Sequence, residues 1–193
     1  MRRLLFSALM GRTRTSRLYL ALAIAALAGI GFSVTGCGSS GGDTTTSAAS
    51  ELETWAGGVC TAVTKYRTSL AATRETLRAE DLSRPALQVA VENASAATRA
   101  FTSTLDDLGP PPAPQVDEAK KILQELQTNL RKQADKVRSL SGTNDVKAAA
   151  STITDALAAA SADAKQAVDD LRKLDPKGNL GQAFDNAGSC SSL

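Results

Sequence analysis

Few side chains in this sequence could do chemistry. The chain contains no histidine among its 193 residues. Neither a Ser-His-Asp nor a Cys-His nucleophile pair can be assembled, and no imidazole is there to hold a metal. The reactive sulfurs are Cys37, Cys60 and Cys190, and no two of them form a CxxC pair. Asp106-Asp107 and Asp169-Asp170 are adjacent carboxylates. On a helix such neighbours point about 100° apart, so they share no chelating face and read as solvated helix surface. No glycine loop of the phosphate-cradling kind is present. The chain is therefore not expected to be an enzyme, and no cofactor or metal is implied. Asn93-Ala94-Ser95 matches a glycosylation sequon, but it falls inside a helical pattern and carries no weight.

Charge narrows the partners. Lys120-Lys121, Arg131-Lys132, Lys136 and Arg138 are interspersed with Glu118 and Glu125. That mixture reads as an ordinary charged helix face, with a docking surface for an acidic partner or anionic lipid heads as the alternative. The formal charge of +2 includes Arg2, Arg3, Arg12, Arg14 and Arg17, all of which precede Cys37, whereas no acid does. Without those five arginines the 22 basic residues fall to 17 against 20 acidic ones, a formal charge of −3. A mildly acidic domain from a chain with only 4% aromatic residues overall is a poor nucleic-acid binder, and no nucleic-acid partner is expected.

The N-terminal segment carries an address. After Arg12, Arg14 and Arg17 comes an uncharged run from Leu18 to Val34. It approaches the roughly 17–25 residues of a membrane span, so an uncleaved anchor is one reading and a removable signal the other. The end of the run favours the signal. Val34-Thr35-Gly36-Cys37 resembles the lipobox of bacterial lipoprotein precursors. The resemblance implies that residues 1–36 are a signal peptide, that the cut falls between Gly36 and Cys37, and that the Cys37 sulfur receives a diacylglycerol. Two or three acyl chains, at about 0.8 kcal/mol per buried CH₂, hold a protein firmly to a bilayer. Arg2-Arg3 only faintly resembles a twin-arginine signal, so general secretion is the expected route. Met10 is an alternative start that gives a more usual signal length. Residues 37–50, rich in Gly, Ser and Thr with one charge, read as a flexible tether, and the folded domain is expected over 51–193.

Once lipidation takes Cys37, Cys60 and Cys190 remain, and an even pair in an exported protein implies a disulfide. Closing so long a loop restricts the unfolded chain by about 4–5 kcal/mol in the entropy model. Cys190-Ser191-Ser192-Leu193 superficially matches a prenylation box, but its middle residues are not aliphatic and an exported chain does not meet the cytosolic transferase.

These residues must be positioned by helices. Hydrophobic residues make up 42% of the chain, carried by Ala, Leu and Val, and no β-branched or aromatic run suggests a sheet. Four apolar stripes repeat at alternating spacings of three and four. They run from Leu52 through Trp55, Val59, Val63, Tyr66 and Leu70 to Leu77; from Leu87 through Val91, Ala94, Phe101 and Leu105 to Leu108; from Val116 through Leu123, Leu126, Leu130 and Val137 to Leu140; and from Val146 through Ile153, Leu157, Ala160, Ala164 and Leu171 to Leu174. This seam predicts an all-α fold, an antiparallel up-down-up-down four-helix bundle whose C-terminal tail is linked to the first helix by the disulfide.

Local signals mark the boundaries. Asp81 or Ser83 can cap the second helix ahead of Pro85, and Gly109 to Pro114 ends it. Ser141-Gly142 stops the third, Asn144 or Asp145 caps the fourth, and Asp175-Pro176 ends that one. Gly57-Gly58 has two readings: room for the returning tail to approach, or a regular helix that starts only at Val59. Phe184 is expected to plug the end of the bundle. Thr98 and Gln133 are polar residues on apolar seams; they set register or line a cavity between helices.

The lipobox, the tether, the Trp55…Cys60 opening, the Pro-rich middle turn and the near-terminal cysteine together resemble the small, Ala-rich lipoproteins of actinobacteria. The resemblance implies a helical domain lipid-anchored on the extracytoplasmic face of the cell membrane. The expected role is a non-catalytic interaction domain at the cell envelope, with an unknown envelope protein as partner. The alternative is a carrier that binds a lipid or small apolar ligand between helices.

Overall fold

The computed structural model describes residues 44–193. Within them the chain forms five α-helices and no strand: α1 (Thr44–Leu77), α2 (Arg84–Leu108), α3 (Val116–Ser139), α4 (Val146–Lys173) and α5 (Asn179–Asn186), followed by a 3₁₀ turn (Gly188–Cys190). Cys37 and Gly36, the expected lipidation and cleavage positions, lie outside the described residues, as does the signal segment.

The helix ends follow from local chemistry. Ser83, rather than Asp81, caps α2: its Oγ accepts from Ala86 N at 3.3 Å, and Pro85 sits in the first turn where its missing N–H costs nothing. Asp145 caps α4, accepting from Ala148 N at 3.0 Å. Its neighbour Asn144 instead accepts from Arg84 Nη2 at 2.8 Å, tying the start of α2 to the turn before α4. α3 has no side-chain cap, but Asp117 and Glu118 stand in its first turn and Lys136 and Arg138 in its last, the charge order that complements the helix dipole.

α1 begins at Thr44, seven residues ahead of Glu51, so the second half of the expected tether is helical. Ser, Thr and Ala need no nucleation of their own where a packed helix already exists to extend. The stripe beyond is buried as its spacing implies: Leu52, Trp55, Val59, Val63, Tyr66, Leu70 and Leu77 are all in the core.

α1 packs against α2, α4 and α5, and α3 against α2 and α4; α2 and α4 also touch, whereas α1 and α3 do not. The segment after α4, expected as a short tail, contains α5. This helix and the 3₁₀ turn both lie on α1. Leu180, Ala183 and Phe184 point inward, with Leu180 and Phe184 completely buried. No described helix is long and apolar enough to cross a membrane.

Candidate functional site

Three features gather the residues singled out above. The first is the clasp between α1 and the segment that follows α4. Cys60 and Cys190 form a disulfide with their Cα atoms 5.0 Å apart, across 130 residues of sequence. Both cysteines are buried. Phe184 meets Trp55 edge to face at 5.9 Å between ring centroids, and Trp55 Nε1 donates to Gly109 O at 2.9 Å. One indole therefore ties α1 to the end of α2 and to α5. Ser189 Oγ donates to Gly57 O at 2.9 Å, seating the 3₁₀ turn on α1.

The glycine pair is resolved by this geometry. α1 runs through Gly57-Gly58 without interruption. A Cβ on Gly57 would stand 3.6 Å from Ser189 Oγ, an ordinary contact, whereas a Cβ on Gly58 would stand 2.6 Å from Leu108 Cδ2. The close approach is thus made at Gly58, and α2 makes it rather than the returning tail.

The second feature is a polar layer across the helices. Tyr66 of α1 and Thr98 of α2 share a buried hydrogen bond of 3.2 Å, and Thr98 Oγ1 also lies 2.9 Å from Ala94 O as a donor. With one hydroxyl proton on Thr98, Tyr66 is left to donate and Thr98 to relay. Gln133 Nε2 of α3 donates to Asp163 Oδ2 of α4 at 2.7 Å, and Gln133 Oε1 is buried without a partner. The space enclosed there is about 10 Å³, room for at most a single water. Burial raises the Tyr66 hydroxyl above its ordinary pKa; the Thr98 hydrogen bond works against this, and the charge of Asp163 adds to it. The two polar residues flagged on the seams therefore belong to one layer, and the second partner of each, Tyr66 and Asp163, was not legible from spacing.

The third feature is an open groove of about 460 Å³ between α1 and α2. Tyr66 and Phe101 form its base, stacked at 4.6 Å with their planes 7° apart. Gly57, Gly58, Ala62 and Ala97 keep its walls low, and Leu108 closes one end. This concavity was missed in the sequence because Gly57, Gly58, Ala62 and Ala97 lie off the apolar stripes, where spacing says nothing of them.

Three of the four adjacent carboxylates have side-chain partners. Asp106 accepts from Gln127 Nε2 at 2.8 Å. Asp169 pairs with Lys165 at 2.8 Å and Asp170 with Lys173 at 3.4 Å. Among the described residues no three acidic or cysteine side chains cluster as a metal site. The basic residues of α3 are exposed, with Arg138 paired to Asp135 at 2.8 Å. Comparison with known protein families, with characterised proteins and with solved structures finds no match.

Proposed function

We propose that the chain is an exported lipoprotein, anchored through a diacylglycerol on Cys37 to the extracytoplasmic face of the cell membrane, whose helical domain binds rather than catalyses. The matching topology is an antiparallel up-down-up-down four-helix bundle. Its support is the pairing of opposite ends. Trp55 near the start of α1 reaches Gly109 at the end of α2, and Tyr66, further along α1, meets Thr98, further back in α2. The connections, residues 78–83, 109–115 and 140–145, are short enough to join antiparallel neighbours.

The observation that carries the binding reading is the α1/α2 groove, a concavity lined mostly by apolar and small side chains. It also favours the second reading, a carrier, in a changed form. The interior leaves about 10 Å³, so a ligand would lie in the groove and not in the core between helices. The anchor rests on the lipobox alone.

The test is mass spectrometry of the full chain extracted from membranes, under native and denaturing conditions. A chain that starts at Cys37 and carries a diacylglycerol supports the anchor; a chain that retains residues 1–36 overturns it. Extra mass that leaves on denaturation supports the carrier, and a bare chain directs the search to envelope proteins.

A further inference from the structure

The geometry points to a ligand class for the α1/α2 groove: a single-chain amphiphile with an anionic head, of the long-chain carboxylate type. This inference rests on the reading of the domain as a binding domain. It follows from what the groove can still offer a guest. Five hydroxyls line it, and each already has a partner. Thr61 donates to Gly57 O at 2.8 Å, Ser69 to Lys65 O at 3.0 Å, Thr104 to Ala100 O at 2.9 Å and Ser189 to Gly57 O at 2.9 Å. The fifth, Tyr66, is bonded to Thr98.

With those donors occupied, the groove presents an apolar trough and a single charge. That charge is Lys65, exposed at the lip. No carboxylate lines the groove, and among the described residues Lys65 makes no ion pair. The volume of about 460 Å³ lies within the roughly 300–1,000 Å³ of small-ligand sites. An apolar chain laid in the groove leaves water for walls made by Ala62, Ala97, Ala100 and Leu108, with the buried Tyr66–Phe101 stack beneath. The head then meets an ammonium with three unassigned donors. A neutral head would leave that cation unmatched, and a cationic head would be repelled by it.

The experiment uses the full chain in nanodiscs of zwitterionic phosphatidylcholine, with a photoreactive palmitate as probe and hexadecanol as neutral competitor. The expected result is a crosslink confined to the α1 and α2 peptides that flank the groove. Palmitate should compete about threefold better than hexadecanol, and Lys65→Glu should weaken labelling by about fivefold, as loss and reversal of one exposed charge imply. Ala100→Trp, at an exposed position on the groove wall, should abolish labelling while the helical circular dichroism and melting temperature stay unchanged. The proposal is overturned by absent or dispersed labelling, by equal competition from hexadecanol, by indifference to both variants, or by protein–protein crosslinks showing a second copy seated in the groove. The N-terminal mass of the same sample reads the lipid anchor separately, so failure of the ligand is distinguishable from failure of the anchored-domain reading.

Discussion

At the residue scale, two adjacent glycines should respond to alanine by different amounts. Gly57→Ala puts a methyl 3.6 Å from Ser189 Oγ and 3.7 Å from Ala187 Cβ, in ordinary contact, and replaces the weakest helix former but one. It should raise stability by about 0.5–1 kcal/mol. Gly58→Ala puts a methyl 2.6 Å from Leu108 Cδ2. Leu108 is half-buried at the edge of the open groove, so its side chain can turn aside at about 0.5–1.5 kcal/mol, and the variant should gain less than Gly57→Ala or nothing. Paired urea melts followed by the fluorescence of Trp55, the only tryptophan, decide the matter; equal shifts would refute the close approach. Tyr66 gives a second prediction. Its raised hydroxyl means that the unfolded chain loses this proton at a lower pH than the fold does. Stability from Tyr66 is therefore fully present below the ordinary tyrosine pKa of about 10 and is lost as pH rises through the folded value. The other tyrosine, Tyr19, would leave with the signal segment, so phenolate absorbance of the processed protein reports Tyr66 alone. The midpoint should lie above about 10 while the fold persists.

At the element scale, the clasp carries the largest single prediction. Cys60 and Cys190 close a loop of 130 residues, and reducing the bond, or replacing both residues by Ala, should cost about 5 kcal/mol in the chain-entropy model. The loss should appear as a lower denaturant midpoint by Trp55 fluorescence, with α5 and the 3₁₀ turn exchanging amide protons before α2 and α3 do. Uniform exchange across all helices would show that the tail does not depend on the bond. This end of the molecule also shows what spacing reveals and what it does not. The pairing of Cys60 with Cys190 and the inward role of Phe184 were legible because cysteine count and a lone aromatic are composition signals. The stripes of α1 to α4 were legible because a heptad seam survives any detail of packing. α5 was not: NLGQAFDN is eight residues with two asparagines and a glycine, poor helix formers held by the burial of Leu180 and Phe184. Gly181 lets that turn close, since a Cβ there would lie 2.5 Å from Asp175 O, and no sequence period encodes a contact of that kind. The groove escaped for a similar reason, because Gly57, Gly58, Ala62, Ala97 and Ala100 lie beside the seams and no period marks a space left between helices.

At the scale of the whole molecule, the early start of α1 limits how far the domain can stand from a membrane. With Cys37 as the anchored residue, residues 38–43 alone separate it from Thr44, where α1 begins. Six residues span at most about 20 Å when fully extended, less than half of what the thirteen residues of the expected tether would reach. From Thr44 the axis of α1 runs on to Leu77, a length of about 50 Å for 34 helical residues. A mature domain of formal charge −3 has no overall attraction to an anionic surface, and among the described residues Val89 is the one large apolar side chain left exposed. The α1/α2 groove is concave and presents no protruding apolar side chain to the bilayer, so the proposed anchor should hold the domain end-on with the start of α1 nearest the lipid. Energy transfer from a dye at Glu51 to an acceptor in the headgroup layer should therefore be strong, and transfer from a dye at Ala79, beyond the far end of α1, weak. Inserting seven Gly/Ser residues before Thr44 should lower the first without restoring the second. Equal transfer from both positions would mean that the domain lies flat, with the exposed basic residues of α3 meeting the lipid heads, and would transfer to that face the docking role assigned here to the α1/α2 groove.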